Sequence, residues 1–439
     1  APRKVQAVAS GALASGDTVI VNADGTVSVV ALVNSSQSVG SSTAFEVSTV
    51  TNIASTFDSN SNKVVIAYTD GGNSSHGTAV VGTISGSSIS FGTPVVFNSN
   101  STSYIGCTFD SSSNKVVIAY RASNTAGYSN VGTVSGTGIS FGSQVTFNST
   151  GGFYYLGITF DSSSNKVVVA WKDGENTSNG RAAVGTVSGT SISWGSLVQF
   201  QTSDTNHISC TFDSNANKVV IAYQNNGNSN FGTAIVGTVS GTSISFGTAT
   251  VFESSATEKT SCSYDASAQK IVIAYVDGGN SNKGTVVVGT VSGTNISFGT
   301  PVYIGGGSGV AINIVSGISY DANGEKTIIA YQDDSDNGYG KVVSGTVNGT
   351  SISFETPLVF ANNSSGIGSV SAAYDSFNQK VAVSYVNSNN NDGYGAVFSP
   401  AGQAPNLTAE NYIGIASNGY ASGQAATINV KGFIDDNQS

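Results

Sequence analysis

Residues 57–68 read FDSNSNKVVIAY, and this phrase returns along the chain at a nearly constant spacing. A lysine follows the aspartate of each copy by five residues, and an aromatic residue follows it by ten. Such a fixed period is typical of a repeat fold. The repeated aspartates are Asp58, Asp110, Asp161, Asp213, Asp265, Asp321 and Asp375. The 439 residues therefore consist mainly of seven copies of one unit.

Each copy predicts four β-strands. The first ends at the aspartate, and the second, residues 64–68 in the first copy, is apolar at every position, which indicates burial on both faces. A third strand follows a loop rich in glycine and asparagine, and in the fourth Ile89 and Phe91 alternate with serines. Four strands in about 50 residues, repeated many times, are typical of a β-propeller blade. The sequence predicts an all-β fold, a seven-bladed β-propeller of four-stranded blades.

The two ends of the chain complete the prediction. The seventh copy lacks its fourth strand, and Phe45 precedes Asp58 by 13 residues just as Phe97 precedes Asp110. We therefore expect residues 36–46 to close the ring beside the strand that contains Val397. The propeller would span residues 36–403. Residues 1–35, with a hairpin signal at Asp24-Gly25, and residues 404–439 would form a small β-module built from both termini.

Composition excludes several classes of function. The net charge of −10 argues against a nucleic-acid partner, and no apolar run is long enough for a membrane span, so no membrane insertion is expected. The three cysteines, Cys107, Cys210 and Cys262, each lie three residues before a repeated aspartate. Other copies place serine, isoleucine or alanine there, which predicts free, buried thiols that pack between blades.

Two sets of loops differ from copy to copy, while the strands barely change. The first set enters each blade, and the second set connects the second and third strands. In a propeller these loops share one face, and varied loops on a rigid scaffold are a common form of binding surface. The alternative is that the loops vary because packing does not constrain them. Eight acidic residues in the second set of loops favour a neutral glycan, a cation or a basic partner. The candidate ligand-binding residues are His76, Tyr104, Tyr128, Tyr154, Tyr155, His207, Phe231, Tyr339 and Tyr394.

Metal and catalytic chemistry have little support in the sequence. The repeated aspartates are interpreted as turn residues rather than metal ligands, because one carboxylate per turn falls far below what calcium requires. Asp333, Asp334 and Asp336 have the spacing of a calcium loop without its distal glutamate, so they form the one metal hypothesis, a weak calcium site. No other cofactor and no catalytic residue is predicted. A glycan-processing propeller enzyme is the least favoured alternative, since no carboxylate pair stands out.

Three stretches resemble repeat-bearing structural proteins of marine tailed phages, namely tail-fibre or virion-appendage proteins. They are residues 57–68, residues 77–97 (GTAVVGTISGSSISFGTPVVF) and residues 409–439 (AENYIGIASNGYASGQAATINVKGFIDDNQS). The resemblance implies a non-enzymatic virion protein located on the virion, outside cells. Its partners would be other virion proteins, reached through the terminal module, and a host-surface glycan or a neighbouring subunit, within a symmetric homo-oligomer. Capsid decoration and a filament-forming architectural role are the alternatives.

Overall fold

Seven four-stranded antiparallel sheets, called blades 1 to 7 below, make up residues 38–400. This computed structural model describes residues 3–430 apart from positions 31, 124, 150, 176–177, 308 and 406–411. Residues 1–37 and 401–439 form a second compact unit. The prediction of an all-β propeller is confirmed, and the seven sheets are consistent with one blade for each copy of the repeat.

The strands of a blade are numbered outwards from the centre of the ring. The first strands are Val50–Asp58, Phe153–Asp161, Ile312–Asp321, Ile367–Asp375 and the C-terminal parts of Val95–Asp110, Val198–Asp213 and Thr250–Asp265. The second strands are Lys63–Asp70, Lys115–Ala122, Lys166–Asp173, Lys218–Asn225, Lys270–Asp277, Lys326–Asp333 and Lys380–Asn387. The third strands are His76–Ser85, Gly127–Ser135, Asn179–Ser188, Phe231–Ser240, Lys283–Ser292, Tyr339–Asn348 and Gly393–Ser399.

The fourth strands are short and continue after a break. They are Ser88–Phe91, Gly138–Phe141, Ser191–Trp194, Ser243–Phe246, Asn295–Phe298, Ser351–Phe354 and, in blade 7, Ser38–Val39. Their continuations are Thr43–Glu46, Val145–Asn148, Val302–Tyr303, Leu358–Ala361 and the N-terminal parts of the three long strands. Short 3₁₀ helices follow four second strands, at Gly71–Asn73, Asn226–Asn228, Gly278–Asn280 and Asp334–Asp336.

The ring closes through the N-terminal part of the propeller. In blade 7 the third strand pairs with the N-terminal segment, which places Phe398 opposite Val39 and Tyr394 opposite Ala44. Each first strand lies beside the first strand of the next blade, and that of blade 7 lies beside that of blade 1. The predicted closure by an N-terminal strand is therefore confirmed.

The second strands form the core of the propeller. Val64, Val65, Ile66, Ala67 and Tyr68 are all fully buried, because each blade has a neighbour on both faces. The aromatic residue that ends the run in blade 1 has a bonded hydroxyl, since Tyr68 donates to Glu46 Oε2 at 3.1 Å. An unbonded hydroxyl at this depth would lose its hydration without compensation.

The repeated aspartates are buried turn residues. In blade 1, Asp58 is 2% exposed, and its Oδ1 accepts the backbone N–H groups of Asn60 and Ser61 at 2.9 and 3.0 Å. The other six aspartates are equally buried and accept backbone N–H groups in the same way. The structural interpretation of these residues is confirmed.

A glycine at the end of the fourth strand lets each blade approach the next one closely. A methyl group on Gly142 would overlap the carbonyl oxygen of Thr190 in the following blade. Six junctions have this contact, through Gly40, Gly92, Gly142, Gly195, Gly247 and Gly299. Blade 6 has Glu355 instead, paired with Lys326 at 3.2 Å. Blade 7 has no tight turn between its third and fourth strands, since its fourth strand comes from the N-terminal segment, and the larger residue is accommodated there.

The second unit is a small β-structure built from both ends of the chain. Five strands pair in the order Arg3–Val8, Ala425–Val430, Tyr412–Ala416, Thr18–Val21 and Val27–Val29, and Leu32–Ser35 pairs with Gly402–Pro405. Residues 406–411 and 431–439 of the predicted C-terminal part lie outside the described residues. None of the helical segments in the described part of the chain has the length and apolarity of a membrane span.

Candidate functional site at the mouth of the central channel

Every first strand has a β-bulge, and in five of them the residue six positions before the repeated aspartate lies in that bulge with a positive φ. In blade 1, for example, two residues between Thr51 and Ala54 lie opposite the single residue between Thr69 and Ala67. The bulge residues are Asn52, Tyr104, Tyr155, His207 and Lys259, and their φ angles lie between 46° and 51°. Positive φ is uncommon for such side chains and costs roughly 1–3 kcal/mol where the surrounding structure imposes it. Bulges redirect side chains, and here all five line one cavity.

That cavity, the mouth cavity, lies at one end of the central channel and has a volume of 380 Å³. All seven first strands contribute to it, through residues 52–55, 104–107, 155–158, 207–210, 259–262, 318 and 369–372. A second cavity, of 490 Å³, shares Ser55 and Ala372 with it and therefore lies further along the same channel. The second cavity is lined by the aromatic residues Phe57, Phe109, Phe160, Phe212, Tyr320 and Tyr374.

Aromatic rings from three blades meet at the mouth cavity. The ring of Tyr104 lies edge-to-face with Tyr154 and Tyr155, at centroid distances of 5.6 and 5.7 Å. Tyr155 in turn contacts the imidazole of His207 at 5.0 Å. Rings at such distances and angles attract one another and hold a fixed cluster.

Two cations lie against the rings of this cluster. The Arg121 guanidinium lies 4.6 Å from the centre of the Tyr154 ring and 5.8 Å from that of Tyr104, within range of a cation–π interaction. Lys172 Nζ lies 5.8 Å from the centre of Tyr155. It also lies 2.6 Å from Asp204 Oδ1, and it donates to Asn206 Oδ1 at 2.8 Å.

Burial shifts the pKa of two rings of the cluster, His207 and Tyr155, towards their neutral forms. Burial, followed by the charges of Lys259 and Lys172, lowers the pKa of His207 to about 4. Burial also raises the pKa of the Tyr155 hydroxyl, with smaller contributions from Tyr104 and two nearby carboxylates. His207 therefore offers one nitrogen that donates and one that accepts, rather than a positive charge.

The cysteines lie deeper in the mouth cavity than the bulge residues, three positions further along the first strands. All three are free, as predicted. Cys262 is buried, whereas Cys107 and Cys210 are half-buried because they face the channel as well as the packing between blades. Burial raises the pKa of Cys107 and Cys262 to about 12, and it raises the pKa of Cys210 well above its ordinary range.

The structure brings together only part of the predicted site. Tyr104, Tyr155 and His207 line the mouth cavity, and Tyr154 packs against Tyr104 beside it. The other five candidates, His76, Tyr128, Phe231, Tyr339 and Tyr394, lie on third strands and do not line it.

Those five candidates have local partners instead. His76, Phe231 and Tyr339 begin third strands, each opposite the last residue of a second strand. Tyr128 and Tyr394 pack on the second-strand tyrosines of their own blades at 6.2 and 5.8 Å. Blade packing, rather than an open loop surface, surrounds the last two.

Asn52, Arg121, Lys172 and Lys259 are the site residues missing from the sequence prediction. Their positions within the repeat could have identified them. Asn52 and Lys259 stand six residues before the repeated aspartate, as Tyr104, Tyr155 and His207 do, and Arg121 and Lys172 stand eleven after it.

Half of the acidic residues in the loops between second and third strands have buried side chains. Asp70, Asp173, Asp277 and Asp333 are buried, four of the eight acidic residues in these loops. Asp70 Oδ1 accepts the N–H of Asn73 at 3.1 Å, and Arg181 Nε lies 2.8 Å from Asp173 Oδ2. These four carboxylates therefore satisfy groups within their loops, and only the other half of the loop acids contributes exposed negative charge to this face.

The predicted calcium loop already holds a cation of the chain. Lys341 Nζ lies 2.9 Å from Asp333 Oδ2 and 2.7 Å from Asp336 Oδ2. Asp333 Oδ1 also accepts the N–H of Ser335 at 2.9 Å. Over the described residues no three or more His, Cys, Asp or Glu side chains are placed so that together they could hold a metal ion. A calcium ion at this loop would have to displace the ammonium group.

Comparison with solved structures finds a lectin, a β-propeller domain and a protein of unknown function that share this fold. A BP39L lectin from Burkholderia pseudomallei has a TM-score of 0.61 and 11% identity, over 83% of this chain and 99% of the lectin. The Swd1 β-propeller domain from Myceliophteria thermophila has a TM-score of 0.52 and 7% identity, over 83% and 99% of the two chains. A protein of unknown function from Dyadobacter fermentans has 0.50 and 9%, over 84% and 99%. No family model and no curated protein matches the sequence. At identities this low, the structural similarity shows a shared fold and nothing about function.

Proposed function

We propose that this chain is a non-catalytic carbohydrate-binding propeller and that the glycan binds in the mouth cavity. The observation that carries the proposal is the aromatic cluster of Tyr104, Tyr154, Tyr155 and His207 at a cavity of 380 Å³. Ligand pockets have volumes of about 300–1,000 Å³ and combine apolar walls with a few polar groups. The faces of sugar rings are apolar enough to stack on aromatic rings, while Asn52, His207 and the serines of the lining offer hydrogen bonds to hydroxyls.

The fold and the lining both support binding rather than hydrolysis. A lectin is among the propellers that share this fold, which is an argument by analogy only. Glycoside hydrolysis commonly uses a pair of carboxylates beside the scissile bond. The described lining of the mouth cavity includes no aspartate or glutamate.

The resemblance to virion-appendage proteins of marine tailed phages supplies the biological setting of the proposal. The propeller would be displayed on the virion, outside cells, and would bind a host-surface glycan or a neighbouring subunit. The unit formed by residues 1–37 and 401–439 would attach it to other virion proteins in a symmetric homo-oligomer. A capsid-decoration or filament role requires no glycan at the mouth cavity, and it predicts that the protein binds no glycan there.

A glycan array tests the proposal. The wild type is compared with Tyr155→Ala, which removes a ring from the cluster, and with Phe377→Ala, which removes a 68% exposed ring outside the mouth cavity. We expect the wild type and Phe377→Ala to bind the same glycans and Tyr155→Ala to lose them. Thermal unfolding shows that each variant is folded. Absence of binding by the folded wild type, or binding that survives Tyr155→Ala unchanged, contradicts the proposal.

A further inference from the structure

The charge of the mouth cavity is opposite in sign to that of the whole protein. The chain carries a net charge of −10, yet the described residues that line the cavity include one charged side chain, Lys259, and no carboxylate. The cavity therefore presents a single positive charge in a partly desolvated site. Low-dielectric walls strengthen the attraction of such a charge for an anion.

Lys259 is not neutralised by a nearby acid. None of the ion pairs between described residues includes it. Two carboxylates lie near the cluster, and neither pairs with Lys259. Asp204 pairs with Lys172 at 2.6 Å and accepts a hydrogen bond from Asn226 at 3.1 Å. Glu258 is exposed and does not line the mouth cavity. The field of Lys259 reaches the neighbouring imidazole, where it helps to lower the pKa of His207.

The fold itself does not require a lysine at this position. Asn52, Tyr104, Tyr155 and His207 occupy the same bulge in other blades with nearly the same φ. The scaffold is therefore constant while the side chain differs, and the charge of Lys259 is available for a ligand.

We infer that the glycan bound in the mouth cavity carries a carboxylate, as a hexuronic or sialic acid does, and that the Lys259 ammonium binds this carboxylate. The inference rests on the proposed function and names its ligand class. The cavity volume of 380 Å³ is near the lower end for ligand pockets, which fits a terminal sugar unit rather than a long polymer segment. The apolar face of that unit would stack on Tyr104 or Tyr155 while its carboxylate reaches Lys259, which comes from a different blade. The acidic ligand replaces the neutral or cationic one that the loop acids favoured.

Matched sugars test the inference. Glycans that end in glucuronic acid, galacturonic acid or sialic acid are each titrated by calorimetry beside their carboxyl-reduced counterparts, which differ only in charge. We expect at least one acid to bind about tenfold more tightly than its reduced form, as a charge-assisted hydrogen bond provides. The preference should shrink as salt is raised, because salt screens the attraction.

Lysine variants locate the effect. Lys259→Met should abolish the preference for the acid and leave the affinity for the reduced sugar within about twofold. Lys283→Met is the matched control, since Lys283 lies 4.8 Å from the Tyr303 ring centre and outside the mouth cavity, and it should keep the preference.

The outcomes separate the two proposals. Equal affinity for every acid and its reduced form, or a preference that survives Lys259→Met, overturns the inference while leaving glycan binding intact. Tighter binding of a matched sulfated sugar than of the uronate overturns the assignment of the anion as a carboxylate. If no glycan of any charge binds, the proposed function fails together with the inference.

Discussion

The imidazole of His207 and the phenol ring of Tyr155 lie edge-to-face, with their centroids 5.0 Å apart. They belong to blades 4 and 3, and each is the bulge residue of its first strand. The contact therefore forms only when neighbouring blades are packed together. The candidate site depends on assembly of the ring, and changes at blade junctions and at the mouth cavity can be distinguished by experiment.

His207 should make stability depend on pH. Its pKa is about 4 in the folded protein and near 6.5 in an unfolded chain, so the unfolded state binds the additional proton between these values. The free energy of unfolding therefore includes the full contribution of the buried, neutral imidazole above about pH 6.5, and it loses this contribution as the pH falls towards about 4. Tyr155, Lys172 and Lys259 surround the ring. Urea unfolding at about pH 7 and about pH 4.5 measures the fall in the free energy of unfolding. We expect this fall to be about 2 kcal/mol smaller in His207→Gln than in the wild type. Equal losses would contradict the lowered pKa.

The three thiols should react slowly in the folded protein. The thiolate is the reactive form, and burial raises the pKa of Cys107 and Cys262 to about 12. Alkylation by iodoacetamide at about pH 8 should be roughly a thousandfold slower than in urea, where all three cysteines should react. Mass spectrometry of timed samples gives the rates. Folded-state labelling as fast as that of the unfolded chain would show that the thiols are not in this environment.

The blade junctions should tolerate side chains unequally. In Gly142→Ala the new methyl group would overlap the Thr190 carbonyl oxygen, so we expect a loss of about 1–3 kcal/mol in the free energy of unfolding. Glu355→Ala is the matched control at the blade 6 junction, and it removes only a partly exposed pair with Lys326, which contributes about 1 kcal/mol or less. Denaturant unfolding compares the two. Similar effects at both positions would mean that the close approach at Gly142 is not required.

Calcium should leave the wild type unchanged. Asp333 and Asp336 already bind Lys341, and calcium prefers six to eight oxygen ligands. The melting temperature should be the same with calcium and with chelator. A rise with calcium that disappears in Asp336→Asn would restore the calcium hypothesis for this loop.

The repeat made the fold predictable from the sequence, and Tyr104, Tyr155 and His207 of the site were predicted, whereas the part of the site formed by Asn52, Arg121, Lys172 and Lys259 was not. The register of Asp58 and Lys63 predicts the order of the blades because the turn and the strand pairing within a blade are local. Closure joins distant parts of the chain, and the missing fourth strand of the seventh copy predicts it. The positive φ of Tyr104, Tyr155 and Lys259 has no sequence signature, since only Asn52 and His207 among the five bulge residues are types that favour it. Burial of the loop acids was likewise inaccessible, because a cap and an exposed carboxylate look alike in a sequence.

The position of a bound sugar tests the central claim most directly. A crystal structure of the protein with the tightest-binding glycan from the array should show the sugar in the mouth cavity, with a ring of Tyr104 or Tyr155 against its face. Its carboxylate should lie within hydrogen-bonding distance of Lys259 Nζ. A sugar bound to the unit formed by residues 1–37 and 401–439, at the outer edge of a blade or in the second cavity near Phe57 would contradict the account.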